Sequence, residues 1–172
     1  MTTLYILRHG IAVERGAPGF RGEKDADRPL TPEGAKKVRR IAKALRQLDV
    51  QFDLLLTSPF ARALRTAEIV AQVFRAKKKL EVCADLAVGG DPAAVVRHLR
   101  RLGRGRNPPA EIMLVGHEPY LSELISVLLA GRTGLPLTLK KGGLCKLSIT
   151  DPRYGLCATL EWLVAPQVLL GR

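Results

Sequence analysis

The stretch Leu4-Tyr5-Ile6-Leu7-Arg8-His9-Gly10 decides how this chain is read. Four successive apolar residues ahead of a turn-permitting glycine suit a strand of a parallel sheet, buried on both faces. In open α/β folds, chemistry collects just beyond the carboxyl ends of such strands. Here that place holds a guanidinium and an imidazole. Arginine's forked donors grip phosphoryl oxygens, and an adjacent imidazole can attack phosphorus. A surface Arg-His pair at a strand end would look the same in a tripeptide alone, so the rest of the chain must decide.

Outward from this stretch, short strand-like runs alternate with longer helical ones. After a polar, glycine-containing segment from Glu14 to Arg28, Thr31 is a suitable N-cap and Pro32 a suitable first helical residue. Ala35, Val38, Ile41, Ala42, Leu45 and Leu48 then recur at helical spacing, with Lys36, Lys37, Arg39 and Arg40 left outside. Phe52 to Thr57 reads as a second strand ended by Ser58-Pro59. A second helix carries Leu64, Ala67, Ile69, Val70, Val73 and Phe74 and stops at Lys77-Lys78-Lys79. Leu80 to Cys83 is a third strand, and Gly89-Gly90-Asp91-Pro92 turns into a helix with Val95, Val96, Leu99 and Leu102 on its apolar side. After a loop from Gly103 to Pro109, Ile112 to Val115 is a fourth strand ending at Gly116-His117, and Pro119 opens a helix through Leu129. Leu144 to Ile149 and Ala158 to Leu163, joined by Asp151-Pro152-Arg153-Tyr154-Gly155, read as an antiparallel edge hairpin. The expected architecture is a single three-layer α/β domain over residues 1–172, its mainly parallel sheet flanked by helices.

Composition narrows the function without choosing it. The chain has 172 residues, 47% of them hydrophobic and 26% charged, which is ordinary for a globular domain able to bury its own core. A strand starting within a few residues of Met1 is not expected to be a secretory leader, and no apolar run approaches membrane-spanning length. Cys83, Cys145 and Cys157 are odd in number and widely spaced, which points to reduced thiols and a cytoplasmic setting. The net charge of +12 would suit nucleic acid, an acidic protein surface or an anionic substrate. Aromatics are only 5%, and none interleaves with the basic runs as a base-stacking platform requires, so a solvated basic surface is expected rather than a nucleic-acid site.

Arg8 and His9 follow strand one, Arg62 lies early in the helix after strand two, and His117 follows strand four. In a parallel sheet these ends share one edge, where helix N-termini add donors for an anion. Two guanidiniums and two imidazoles in one pocket suit a dianionic group. Other constellations are missing: no GxxxxGK[ST] loop, no GxSxG elbow, and no cysteine with an arginine six residues later. No HExxH or clustered His/Asp spacing supports a metal, and no cofactor motif is present. His98 is expected to be an exposed helix residue among arginines.

Together with Arg8-His9-Gly10, four further segments make the chain recognisable: Asp27-Arg28-Pro29-Leu30-Thr31-Pro32-Glu33-Gly34, Ser58-Pro59-Phe60-Ala61-Arg62-Ala63-Leu64-Arg65-Thr66-Ala67, Val115-Gly116-His117-Glu118-Pro119, and the Trp162…Pro166 ending. It resembles the histidine phosphatase superfamily over nearly its whole length, and within it the bacterial phosphohistidine phosphatase (SixA) branch. The resemblance implies that His9 is a nucleophile that becomes transiently phosphorylated. Arg8 and Arg62 would hold the phosphoryl oxygens, and His117 would stabilise their charge. Arg65 competes for the second clamp, though the SPxxR spacing favours Arg62. Many members of the superfamily use a glutamate after the third strand as general acid. Asp85 stands nearest that place, one methylene shorter, either as the acid or as a polar residue closing the strand.

An imidazole leaving group departs with little help, because its conjugate acid has a pKa near ~6.5, whereas an alkoxide needs a proton. An uncertain acid therefore fits phosphohistidine on a signalling protein, such as a histidine phosphotransfer domain, better than a sugar phosphate. The alternatives are a phosphatase of small phosphorylated metabolites and, in another class, a non-catalytic module binding phosphorylated or acidic partners.

Overall fold

The computed structural model describes residues 1–18, 20, 24–153 and 155–171. Residues 19 and 21–23 of the polar segment, and Tyr154 of the expected hairpin turn, lie outside them.

Six strands form one sheet: β1 (Thr2–Arg8), β2 (Leu54–Thr57), β3 (Leu80–Val82), β4 (Glu111–Gly116), β5 (Leu144–Ile149) and β6 (Ala158–Val164). Their order is β3-β2-β4-β1-β5-β6. The first four are parallel, and β5 and β6 are antiparallel additions at one edge. Helices α1 (Pro32–Gln47), α2 (Ala61–Val73), α3 (Pro92–Gly103), α4 (Tyr120–Ala130) and the short α5 (Pro166–Leu169) complete the fold.

Period-two alternation along the strands splits the core in two. Leu4, Ile6, Leu56 and Leu114 face α3 and α4. Tyr5, Leu7, Leu55 and Met113 face α1 and α2. Both faces are therefore covered, which is why the central strands read as unbroken apolar runs. The expected cap of α1 is present, Thr31 Oγ1 accepting from the Gly34 amide at 2.9 Å; α3 is capped too, Asp91 Oδ1 accepting from the Ala93 amide at 2.9 Å. Phe52 is buried, but against Phe74 and ahead of the strand rather than inside it. His98 departs from expectation by being half-buried instead of exposed.

The parallel register matters most for function. Leu7 and Thr57 both pair with Val115. Beyond those rungs, the His9 amide donates to Gly116 O at 3.0 Å and the Ser58 amide to Val115 O at 3.0 Å. The chain segments leaving β1, β2 and β4 thus begin at one level on one edge of the sheet.

Candidate active site

Gly10 lets the chain leave β1 tightly. A Cβ there would meet Val38 Cγ2 at 2.5 Å, and its amide donates to Thr66 Oγ1 at 3.1 Å. One cannot approach α1 so closely with a side chain in between. Thr66 Oγ1 in turn donates to Arg62 O at 2.7 Å, so the turn after His9 and the first turns of α2 are tied together. This tie sets the side chains of His9 and Arg62 against one another.

His9 is 5% exposed and Arg62 3%. His9 Nδ1 lies 2.7 Å from Gly10 O, and a carbonyl only accepts, so Nδ1 carries the proton. Nε2 is then the lone-pair nitrogen, and Arg62 Nε donates to it at 3.3 Å. The His117 ring lies beside it, with centroids 5.0 Å apart. Arg65, the other candidate for the second clamp, is exposed on α2 and paired with Glu68 at 2.9 Å. Arg8 is half-buried at the end of β1. Its Nη1 donates to Leu139 O at 2.9 Å, and its charge, like that of Lys141, is felt at His9.

His117 is held through Ser58. Ser58 Oγ accepts from the Phe60 amide at 3.2 Å and lies 2.8 Å from His117 Nε2. The hydroxyl accepts twice and donates once, so it satisfies Nε2 in either tautomer of the ring. The Nδ1 of His117 is buried and unpartnered among the described residues. A buried ring nitrogen without a partner is costly, and when it carries the proton it suits an oxyanion that arrives with the substrate.

Burial, joined by the charges of Arg62, Arg8 and Lys141 and opposed by the Gly10 carbonyl, pushes His9 down to about 4. Burial and the nearby His9 and Arg62 push His117 down to about 3. Both imidazoles are therefore neutral at pH 7, the state a nitrogen nucleophile needs. Linkage makes this testable. Below about pH 6.5 the unfolded chain takes up protons that the folded chain refuses until about 4 and about 3, so stability falls as pH falls through that window. The urea midpoint should drop between about pH 7 and pH 4, and drop less in His9→Asn/His117→Asn. Equal drops would contradict buried neutral imidazoles.

Asp25 joins the site without any signal in its sequence context. Its Oδ2 pairs with Arg62 Nη2 at 2.9 Å, and its Oδ1 lies 3.1 Å from both Arg15 Nη2 and Arg28 Nε. Its carbonyl also accepts from Arg62 Nη1 at 2.8 Å. Partial burial pushes the carboxyl up, but hydrogen bonds from Arg15 and Arg62 outweigh this and hold it below its ordinary value.

Asp85 is not gathered into this cluster. Its carboxylate keeps company with Cys83 Sγ and the His98 ring, their ligand atoms all within 4.8 Å of one another, and it lines a groove with the arginines of α3. A thiol, an imidazole and a carboxylate so placed are a donor set for a metal such as zinc. The four guanidiniums lining the same groove oppose a cation, and Arg101 Nη2 donates to His98 Nδ1 at 3.2 Å. Among the described residues no helix is long and apolar enough to cross a membrane.

The family model described as the histidine phosphatase superfamily (branch 1) matches residues 4–87. An uncharacterized protein of Picosynechococcus sp. is 36% identical over 94% of this chain and 98% of its own length. The phosphohistidine phosphatase SixA of Escherichia coli is 28% identical over 95% of this chain and 93% of its own. Among solved structures, the protein histidine phosphatase SixA complexed with tungstate superposes with a TM-score of 0.83 at 26% identity, over 98% of this chain and 99% of that one.

Proposed function

The chain belongs to the histidine phosphatase superfamily, on its SixA-like branch, and from that premise we propose that it hydrolyses phosphohistidine on a protein through a phosphorylated His9. The observation that carries the reading is His9 itself, with Nδ1 tied to Gly10 O and Nε2 left as the lone-pair nitrogen beside Arg62. In the first step Nε2 attacks phosphorus, an N–P bond forms on His9, and the N–P bond of the substrate breaks. In the second, water attacks phosphorus, the His9 N–P bond breaks, and inorganic phosphate leaves. Arg62, Arg8 and His117 stabilise the charge on the phosphoryl oxygens in both steps. That the SixA relative is complexed with tungstate, an oxyanion, supports an oxyanion ligand for this chain.

The choice of phosphohistidine rests on the proton supply. Asp85 keeps other company, and Asp25 is held ionised by arginines, which suits a carboxylate that positions Arg62 and not one that donates a proton. A leaving imidazole needs little protonation, whereas an alkoxide needs a donor. We expect kcat/KM for a phosphohistidine protein to exceed that for a primary alkyl phosphate by at least roughly 100-fold, with activity retained in chelator. Asp85→Asn should change neither rate by more than about twofold. A preference for alkyl phosphates would replace this reading with a small-metabolite phosphatase, and strict dependence on a divalent ion would remove it.

A further inference from the structure

Arg97, Arg100, Arg101 and Arg104 stand at i, i+3, i+4 and i+7 on α3 and its C-cap, one continuous helical stripe. Their position follows from the opposite face of the helix, where Val95, Val96 and Leu99 are buried. A solvated basic face needs no concavity, yet these four side chains line a groove of about 430 Å³ together with Ala94 and Asp85. Among the described residues, only Arg97 has a carboxylate within ion-pair distance, Asp91 at 3.7 Å. Arg101 donates to a neutral acceptor, His98 Nδ1. Like charges at these spacings repel. The negative end of the helix offsets part of that repulsion, but it would do so for arginines on any side and does not explain four in one groove.

We infer that this groove docks an acidic segment of a partner protein, its carboxylates set against Arg97, Arg100, Arg101 and Arg104. Charge complementarity selects the class of ligand, and the lining selects a peptide over a nucleic acid. No aromatic side chain lines the groove for base stacking, and Asp85 interrupts the positive track that a run of phosphates would need. The stripe covers roughly 10 Å along the axis, the span of two turns of an acidic helix.

The groove approaches the active-site edge of the sheet at its Asp85 end, while Arg100 and Arg104 also line a hollow with Met1, Thr2 and Ala110 at the opposite edge. The loop between β3 and α3 carries Asp85 and Asp91, and Tyr120, three residues after His117, donates its hydroxyl to Asp91 O at 3.3 Å. A protein substrate extended enough to reach both His9 and α3 would use the groove as a docking point away from the reacting group. That catalytic consequence rests on the protein-substrate reading above, whereas the binding itself does not.

The test is fluorescence anisotropy with the full chain and a fluorescein-labelled alanine-based helical peptide bearing Glu at i, i+3, i+4 and i+7, beside its Gln counterpart. At about 50 mM NaCl the Glu peptide should bind and the Gln peptide should not. Arg100→Glu/Arg104→Glu should weaken binding by roughly tenfold or more, with Arg100→Gln/Arg104→Gln falling between. Turnover of p-nitrophenyl phosphate should persist in both variants, showing an intact fold and an intact His9 site. Equal binding by wild type and variants, absence of binding, or tighter arginine-dependent binding of a single-stranded oligonucleotide would each overturn the proposal. A wild-type chain that binds the peptide but leaves phosphohistidine untouched would refute the substrate reading and uphold this one.

Discussion

His9→Ala should abolish turnover, by on the order of 10⁵-fold or more, while the chain stays folded. The magnitude follows from chemistry: without Nε2 no covalent intermediate forms, and water would have to attack the substrate phosphorus directly. Folding survives because the side chain sits at the end of β1, where the ladder is carried by the backbone amide of His9 donating to Gly116 O. The imidazole contributes two side-chain hydrogen bonds, to Gly10 O and from Arg62 Nε. Circular dichroism should be unchanged, and the melting temperature should shift by no more than several degrees. Activity within tenfold of wild type would mean that another group attacks phosphorus.

Arg62→Ala should lower kcat/KM by on the order of 100-fold or more, and Arg65→Ala by less than about twofold. The contrast is sharp because both residues lie in the first turns of α2. Arg62 is buried against His9 with its outer nitrogens on Asp25, and Arg65 is an exposed surface partner of Glu68. An exposed i,i+3 pair contributes little, so its loss should also leave stability almost unchanged. Arg62→Lys separates charge from geometry. A single ammonium cannot hold His9 and two phosphoryl oxygens with fixed, planar donors, so it should restore only a small part of the loss. Damage from Arg65→Ala equal to that from Arg62→Ala would contradict the arrangement.

The fold was legible because its strongest signals are local and periodic. The apolar runs at Leu4–Leu7 and Ile112–Val115 are buried on both faces, and Thr31-Pro32 caps α1 as its sequence promises. Strand limits were less so: Phe52 is as apolar as a strand residue, but its burial comes from stacking on Phe74. His9, Arg62 and His117 could be placed together because each follows a parallel strand, and strand register brings such positions to one level. Asp25 could not. It lies in a polar segment without periodicity, and its bond to Arg62 spans 37 residues. Ser58 reads as a strand stop, while its hydroxyl holds the His117 ring through Nε2, a contact visible only in three dimensions. His98 reads as a surface residue on a basic helix, yet it is half-buried, with Cys83 and Asp85 close to its ring.

The most direct test of the central claim is to trap the covalent intermediate. The chain is mixed with a phosphohistidine protein labelled in its phosphoryl group, quenched in base within the first turnover, and digested for mass spectrometry. The account predicts phosphate on His9 at Nε2, stable in base and lost in acid, and absent from His9→Ala. Phosphate on a cysteine, on a serine or on His117, or turnover with no covalent phosphoryl group at any quench time, would contradict it.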